Sequence, residues 1–279
     1  MLDKSGNEPL ASQDTLRSAC EVAVQPLGRG KATAMVAEEV PVGVLYSGIP
    51  HAVMMASPAD LEDFAIGFSV TEGIVKSAAE VREITQQQTC DGVELNLVLA
   101  PERFQDFLSR RRTRNLRGHT SCGLCGVEDV ADTRADTPRA PAGQSFTQAA
   151  IRRALAALGG HQELHRLTRA AHAAAWVASA GDIVLVREDV GRHNALDKLI
   201  GAAMRQGTDL GAGFCLITSR CSYEMVQKAL MASMPAIVAI SAPTGLAVRT
   251  AAAAGLTLVA LAREDGQNVY AAAHRIAEH

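Results

Sequence analysis

Two cysteines three residues apart, Cys122 and Cys125, form the single Cys-x-x-Cys of the sequence. Gly123 and Gly126 flank them at the end of the stretch RRRTRNLRGHTSCGLCG, residues 110–126. Two thiols at this spacing can share a metal, close a disulfide or pass a sulfur atom between them. Arg110, Arg111, Arg112, Arg114 and Arg117 stand just upstream, and positive neighbours favour thiolate, the reactive form. No regular apolar period crosses the stretch, which therefore reads as a loop. A structural zinc site needs two more ligands. His161 and His165 lie one helical turn apart, but 35 residues separate Cys125 from His161, against about 12 to 15 in zinc fingers. A thioredoxin-like motif wants a helix after it, and the residues following Cys125 show no helical pattern. Zinc binding, dithiol chemistry and a purely structural role stay open on these residues alone. His161-Gln162-Glu163 has the His-x-Glu of zinc deaminases, but the order is reversed and no proline precedes Cys122. His172, among small apolar residues, reads as structural.

A second concentration of chemistry is EDVGRHNALDKLIG, residues 188–201. It packs Asp189, Gly191, Arg192, His193, Asn194, Asp197 and Lys198 around one strand-to-helix turn. Ligands of α/β sheets gather at such carboxyl ends of strands; the plainer reading is a capped, charged first helical turn. Ser219-Arg220-Cys221-Ser222 and Ser241-Ala242-Pro243-Thr244-Gly245 follow later strands in the same way, so three polar turns should converge on one sheet edge. Walker A and GxGxxG motifs are absent from the sequence, which removes the ordinary ATPase and Rossmann readings. Cys221, near a helix start, is placed where a thiol can be activated. Cys20, Cys90 and Cys215 read as small buried hydrophobes.

Local sequence signals define the elements that must position these groups. Residues 1–20 are polar and aperiodic and read as disordered. Strands are expected at Ala34–Ala37, Val42–Tyr46 and Ala52–Met55, with Ser47-Gly48 as a hairpin turn. A helix should follow Ser57 as cap and Pro58 at its first position, with Leu61, Phe64, Ala65, Phe68 and Ile74 inward and Gly73 ending it. Strands at Val81–Thr85 and Val93–Leu99 flank the turn Asp91-Gly92, and a short helix runs from Pro101 to about Leu108. Residues 129–144, rich in Asp, Thr, Pro and Ala, read as a linker. It separates a β-rich N-terminal domain (21–128) from an α/β domain (145–279). In the latter, Thr147 opens a helix stopped by Gly159-Gly160, and strands at Ala174–Ser179 and Ile183–Val186 flank Gly181-Asp182. Asn194 caps a helix, and Phe214–Thr218, Ile237–Ile240 and Leu256–Leu261 are strands. Ser222–Met231, carrying a Glu224–Lys228 pair one turn apart, and Ala247–Ala254 are helices. Strand–helix alternation of this kind gives an α/β sheet layered by helices.

A chain of 279 residues with 48% hydrophobic and 20% charged residues can bury a substantial core. A net charge of -3 with one Trp and three Tyr argues against a general nucleic-acid binder. The polar N-terminus lacks the apolar core of a signal peptide, and no run approaches the roughly 18 apolar residues of a membrane helix. Six cysteines at this length are not a secreted disulfide framework, so a reduced, cytoplasmic protein is expected.

Six stretches in order resemble the FdhD/NarQ family, the formate dehydrogenase accessory sulfurtransferases. They are SPADLEDFAIGFSVTEGI (57–74), TSCGLCG (120–126), DVGRHNALDKLIG (189–201), SRCSYEMVQKA (219–229), SAPTGLAV (241–248) and LTLVALARE (256–264). The resemblance implies a sulfur carrier that takes sulfane sulfur from a cysteine desulfurase. The carrier then hands it to the molybdenum or tungsten bis-(molybdopterin guanine dinucleotide) cofactor, before that cofactor enters the formate dehydrogenase catalytic subunit. It implies Cys122 as the persulfide-bearing residue and Cys125 as relay partner. It implies a cofactor contact at Leu261, Ala262, Arg263, Glu264, Asp265 and Gly266, with no permanently bound metal. The family pattern there is Phe-x-Arg-Gly-x-Arg; this chain keeps Arg263 but has Glu264 and Gly266, leaving one arginine for the phosphates. The resemblance also implies a homodimer and a mixed-sheet C-terminal domain like the cytidine deaminase fold, without its zinc chemistry. The alternative function is a zinc-stabilised, non-enzymatic chaperone module for the dehydrogenase.

Overall fold

The computed structural model describes residues 18–28, 30–115 and 138–277. Cys122, Cys125, Arg117 and residues 129–137 of the expected linker lie outside the described residues, as do residues 1–17. The fold is mixed α/β, as expected, and is built on several sheets.

Strands β1 (Ala19–Val24) and β2 (Ala32–Ala37) form an antiparallel ribbon, so order begins inside the stretch expected to be disordered. A four-stranded sheet follows, ordered β4-β3-β6-β5, from β3 (Val40–Tyr46), β4 (Ile49–Ala56), β5 (Val81–Gln88) and β6 (Val93–Leu99). Ser47 and Gly48 both take positive φ, 49° and 80°, as a two-residue type I′ hairpin turn requires. At the second turn Gly92 has φ 152°, and a Cβ there would sit 2.2 Å from the Pro41 carbonyl oxygen, so glycine is obligatory. Val42, Val44 and Tyr46 alternate inward with Val93, Leu95, Leu97 and Leu99, the period-two pattern of a sheet covered on one face. Their cover is α1 (Leu61–Thr71).

Helix α2 runs from Pro101 to Asn115, longer than expected, and takes in four of the five arginines assigned to a loop. Arginine is a good helix former, so a helix here needs no apolar period. Arg110 Nη1 donates to the Gly73 carbonyl at 2.7 Å, tying this helix to the end of α1.

The second half begins with β7 (Phe146–Thr147), α3 (Gln148–Leu158) and α4 (Glu163–Thr168). Thr147 caps α3 by accepting the Ala150 N–H, as expected. Then come β8 (His172–Ala178), β9 (Ile183–Asp189), α5 (Arg192–Gln206), β10 (Gly213–Ile217), α6 (Tyr223–Met231), β11 (Ala236–Ala239), α7 (Gly245–Ala254), β12 (Thr257–Ala260), β13 (Asn268–Ala271) and β14 (Ile276–Ala277). Six of them form a mixed sheet ordered β13-β12-β11-β10-β8-β9, parallel from β10 to β12. Alternate residues of its central strands enter two apolar clusters. Trp176, Cys215, Ile217, Ile237 and Leu258 pack toward α1, α5 and α6, whereas Val177, Phe214, Leu216 and Val238 pack against α3. Sheets covered on both faces carry such uninterrupted apolar runs.

The join between the halves is α1 against α5. A Cβ on Gly67 would lie 1.7 Å from the Asp197 carbonyl oxygen, and one on Gly201 would lie 1.8 Å from that of Asp63. The two backbones touch through facing glycines.

Three expectations fail at this join for one reason. Ser57 does not cap α1; Asp60, in the left-handed region (φ 53°), occupies that place without a side-chain cap. Asn194 does not cap α5 but lies buried in its first turn, behind Gly191. Lys228 Nζ sits 2.8 Å from Asp197 Oδ2 rather than pairing with Glu224, which meets His193 instead. In each case a tertiary partner outcompetes the local one.

Candidate functional site at the sheet edge

The carboxyl ends of β9, β10, β11 and β12 share one edge of the six-stranded sheet, and the three polar turns do meet there. The Cys221 N–H donates to the Ala242 carbonyl at 3.2 Å and the Thr244 N–H to that of Cys221 at 3.0 Å. The Leu261 N–H donates to the Ser241 carbonyl at 3.1 Å, so residues 261–266 join the same rim.

The stretch 189–198 divides in two. Asp189 and Lys198 are both fully buried and paired at 2.7 Å. Asp189 Oδ2 also accepts the Ser57 N–H at 3.0 Å; its Oδ1 accepts Gly191 N–H at 2.7 Å and Asn194 Nδ2 at 3.1 Å. Lys198 Nζ donates to the Ser57 carbonyl at 2.9 Å, Asn194 Nδ2 donates to that of Met55 at 2.7 Å, and Ser57 Oγ accepts the Val190 N–H at 3.2 Å. These residues bolt the strand β4 exit to the start of α5. Asp197 ties α5 to the end of α1 through Thr71 Oγ1 (2.7 Å) and to α6 through Lys228. Asp63 collects Arg187 (Nη2, 2.7 Å) and Arg205 (Nη1, 2.7 Å).

The remaining members, Arg192 and His193, are half-buried and face the rim. His193 Nε2 lies 2.8 Å from Glu224 Oε2 without hydrogen-bond alignment. Burial pushes the His193 imidazole below its usual pKa, against the pull of Glu224. Arg192 Nε is buried with no partner among the described residues. His172 opens β8 directly across from Asp189, and Ala173 N–H donates to Thr218 Oγ1 at 2.9 Å, which brings Arg220 to the same corner. Burial first, then the charges of Arg192, His165 and Arg220, hold the His172 imidazole below its ordinary range. His172, read as structural from its apolar neighbours, therefore belongs to the rim; the strand register that puts it there leaves no mark in sequence.

Residues 261–266 present a different surface. Leu261 has φ 50°, Ala262 is buried, and Leu261, Arg263, Glu264 and Asp265 are exposed. Arg263 Nη1 turns back to the carbonyls of Ile240 and Ala262 (the latter at 3.1 Å), and Arg263 N–H closes a turn on the Gly266 carbonyl at 2.8 Å. Two carboxylates thus accompany one arginine already engaged with main chain.

The other cysteines sort by burial. Cys221 is fully buried and its thiol is pushed up to about 12 by desolvation, so its place before α6 does not activate it. Cys215 is buried and raised likewise. Cys90 is exposed and Cys20 intermediate; both were expected inside, but Cys90 lies at a turn and Cys20 on the narrow two-stranded β1–β2 ribbon. His165 Nδ1 contacts the Ala171 carbonyl at 3.0 Å, and among the described residues no group of three metal-ligand side chains gathers. Among them, too, no helix is long and apolar enough to cross a membrane.

Residues 37–277 match the model of the FdhD/NarQ family. Among similar proteins are two named sulfur carrier protein FdhD. That of Xanthomonas euvesicatoria pv. vesicatoria is 47% identical over 242 residues, 87% of this chain and 85% of the relative. That of Cupriavidus necator is 47% identical over 241 residues, 86% and 83% of the two chains. A crystal structure of a candidate formate dehydrogenase accessory protein from Desulfotalea psychrophila superposes with a TM-score of 0.72 at 25% identity, covering 93% of this chain and 98% of that one.

Proposed function

From the premise that this chain belongs to the FdhD/NarQ family, we propose that it is a sulfur carrier serving a formate dehydrogenase. Cys122 accepts a sulfane sulfur from a cysteine desulfurase as a persulfide, and the acceptor is the molybdenum or tungsten bis-(molybdopterin guanine dinucleotide) cofactor, handled as a substrate. The observation that carries this reading is the likeness, at close to half identity over most of the chain, to proteins named for sulfur carriage. The two thiols on the glycine-flanked TSCGLCG stretch supply the chemistry.

In the relay step the Cys125 thiolate attacks Sγ of the Cys122 persulfide. The S–S bond breaks, its electron pair leaves with the terminal sulfur as hydrosulfide, and a Cys122–Cys125 disulfide forms. A thiol reductant supplying two electrons returns the pair to the starting state. The rim at the ends of β9–β12, including residues 261–266, is the surface assigned to the anionic cofactor. The desulfurase and the dehydrogenase catalytic subunit are the protein partners, and the carrier works as a cytoplasmic homodimer.

Whole-protein mass spectrometry after incubation with a desulfurase and cysteine tests the reading. One added sulfur on the wild type, absent from Cys122→Ala, is expected. A wild type that gains no sulfur, together with stoichiometric zinc lost on mutating either cysteine, would replace the carrier with a zinc-stabilised chaperone module.

A further inference from the structure

We infer that the corner formed by His172, Arg192 and Arg220 is a phosphate-group subsite, separate from residues 261–266. The inference rests on the sulfur-carrier reading for its ligand, an anionic pyrophosphate-bearing cofactor, but its geometry is independent. β8 starts at His172 opposite the end of β9, α5 starts at Arg192 three residues after Asp189, and Arg220 follows β10 on the other side of β8. Three cationic or protonatable side chains from three neighbouring strand ends therefore share one corner, and His165 adds a fourth nearby.

What marks the corner as a ligand site is unused capacity. Asp189 is consumed by Lys198, Ser57, Gly191 and Asn194, Glu188 accepts the Leu164 and His165 N–H groups at 2.8 and 2.9 Å, and Glu224 faces His193. Among the described residues neither Arg192 nor Arg220 has an ion-pair partner, and Arg192 Nε is buried unsatisfied. A buried donor left without an acceptor is costly unless a ligand completes it. The two neighbouring helices, α5 and α6, both start here without a side-chain cap. An uncapped helix start favours an anion. Guanidinium forks match phosphate oxygens two at a time.

Residues 261–266 offer less, a single exposed arginine whose Nη1 already meets the Ile240 and Ala262 carbonyls and which stands beside Glu264 and Asp265. With strands about 4.8 Å apart, the corner lies two to four strands, about 10 to 19 Å, from the end of β12. One elongated dinucleotide can span that reach, its phosphates at the corner and another portion over residues 261–266.

Isothermal titration calorimetry of the full chain with pyrophosphate, a nucleoside diphosphate and the phosphate-free nucleoside tests the assignment. Wild type should bind both phosphorylated probes. Arg192→Ala and Arg220→Ala should each weaken that binding tenfold or more, Arg263→Ala should change it less than threefold, and nucleoside binding should be unmoved by the corner variants. Circular dichroism melting of each variant separates lost folding from lost binding, and Arg220→Lys, which keeps the charge but not the fork, should recover part of the affinity. Failure of the wild type to bind pyrophosphate or the nucleoside diphosphate overturns the inference. So does a loss confined to Arg263→Ala. Sulfur loading of Cys122, read by mass, is indifferent to either result, so the corner can fail while the carrier stands.

Discussion

The seam between α1 and α5 and the rim beyond β9 both draw on residues 189–198, yet they treat polar groups in opposite ways. At the seam Asp189, Asn194, Asp197 and Lys198 are buried and each is matched by named partners. At the rim half-buried Arg192 keeps a buried Nε without a partner among the described residues, and Arg220 is exposed. Full satisfaction makes a joint that holds one geometry; incomplete satisfaction makes a surface that waits for a ligand. The lesson is that a polar motif at a strand end can be half scaffold and half site, and that counting its charges does not separate the two.

The sharpest way to break the seam is Lys198→Ala. It leaves Asp189 as a buried carboxylate without its cation, and removing one partner of a buried pair destabilises by about 3–5 kcal/mol. Urea denaturation should show a loss of that size, whereas Arg220→Ala at the exposed rim should stay within about 0.5 kcal/mol of wild type. Equal losses at the two positions would erase the distinction.

Gly67→Ala attacks the same seam without touching a charge. Its Cβ would meet the Asp197 carbonyl at 1.7 Å, backbone that cannot swing aside. Helix α1 must back away from α5, and overpacking of this kind destabilises by about 1–3 kcal/mol. The melting temperature should fall, and the Ser57 and Asp189 amides nearby should exchange faster with deuterium. An unchanged melting curve would mean that the helices do not touch as described.

Much of this was legible in the sequence. The hairpin at Ser47-Gly48, the turn at Asp91-Gly92, the Thr147 cap and the convergence of three polar turns all follow from local chemistry, because φ > 0, capping and strand alternation are written in neighbouring residues. What escaped depends on partners far along the chain. Ser57 reads as a cap until its Oγ accepts the Val190 N–H from 133 positions away. Lys228 reads as the mate of Glu224 until Asp197 proves nearer, and His172 reads as core until strand register sets it opposite Asp189 at the rim. Cys221 reads as activated because a helix start is visible in sequence, while the burial that overrides it is not.

The finest test of the contrast is acid stability, since the histidines sit on the rim side of the divide. In the folded protein His172 titrates below its ordinary range, through burial and then through Arg192, His165 and Arg220, with only Asp189 opposing. The unfolded chain, near pH 6.5 for a free imidazole, therefore binds a proton that the folded one refuses. Neutral His172 contributes stability that is present above about pH 6.5 and is lost as pH falls toward the folded value. His172→Asn, which cannot take that proton, should show a shallower fall in melting temperature from pH 7 to pH 5 than wild type. The gap should narrow when pyrophosphate is added, because an anion at the corner favours the protonated ring in the folded state and returns part of the loss. Parallel melting profiles for the two proteins, with and without pyrophosphate, would show that His172 does not sense the charges of the rim at all.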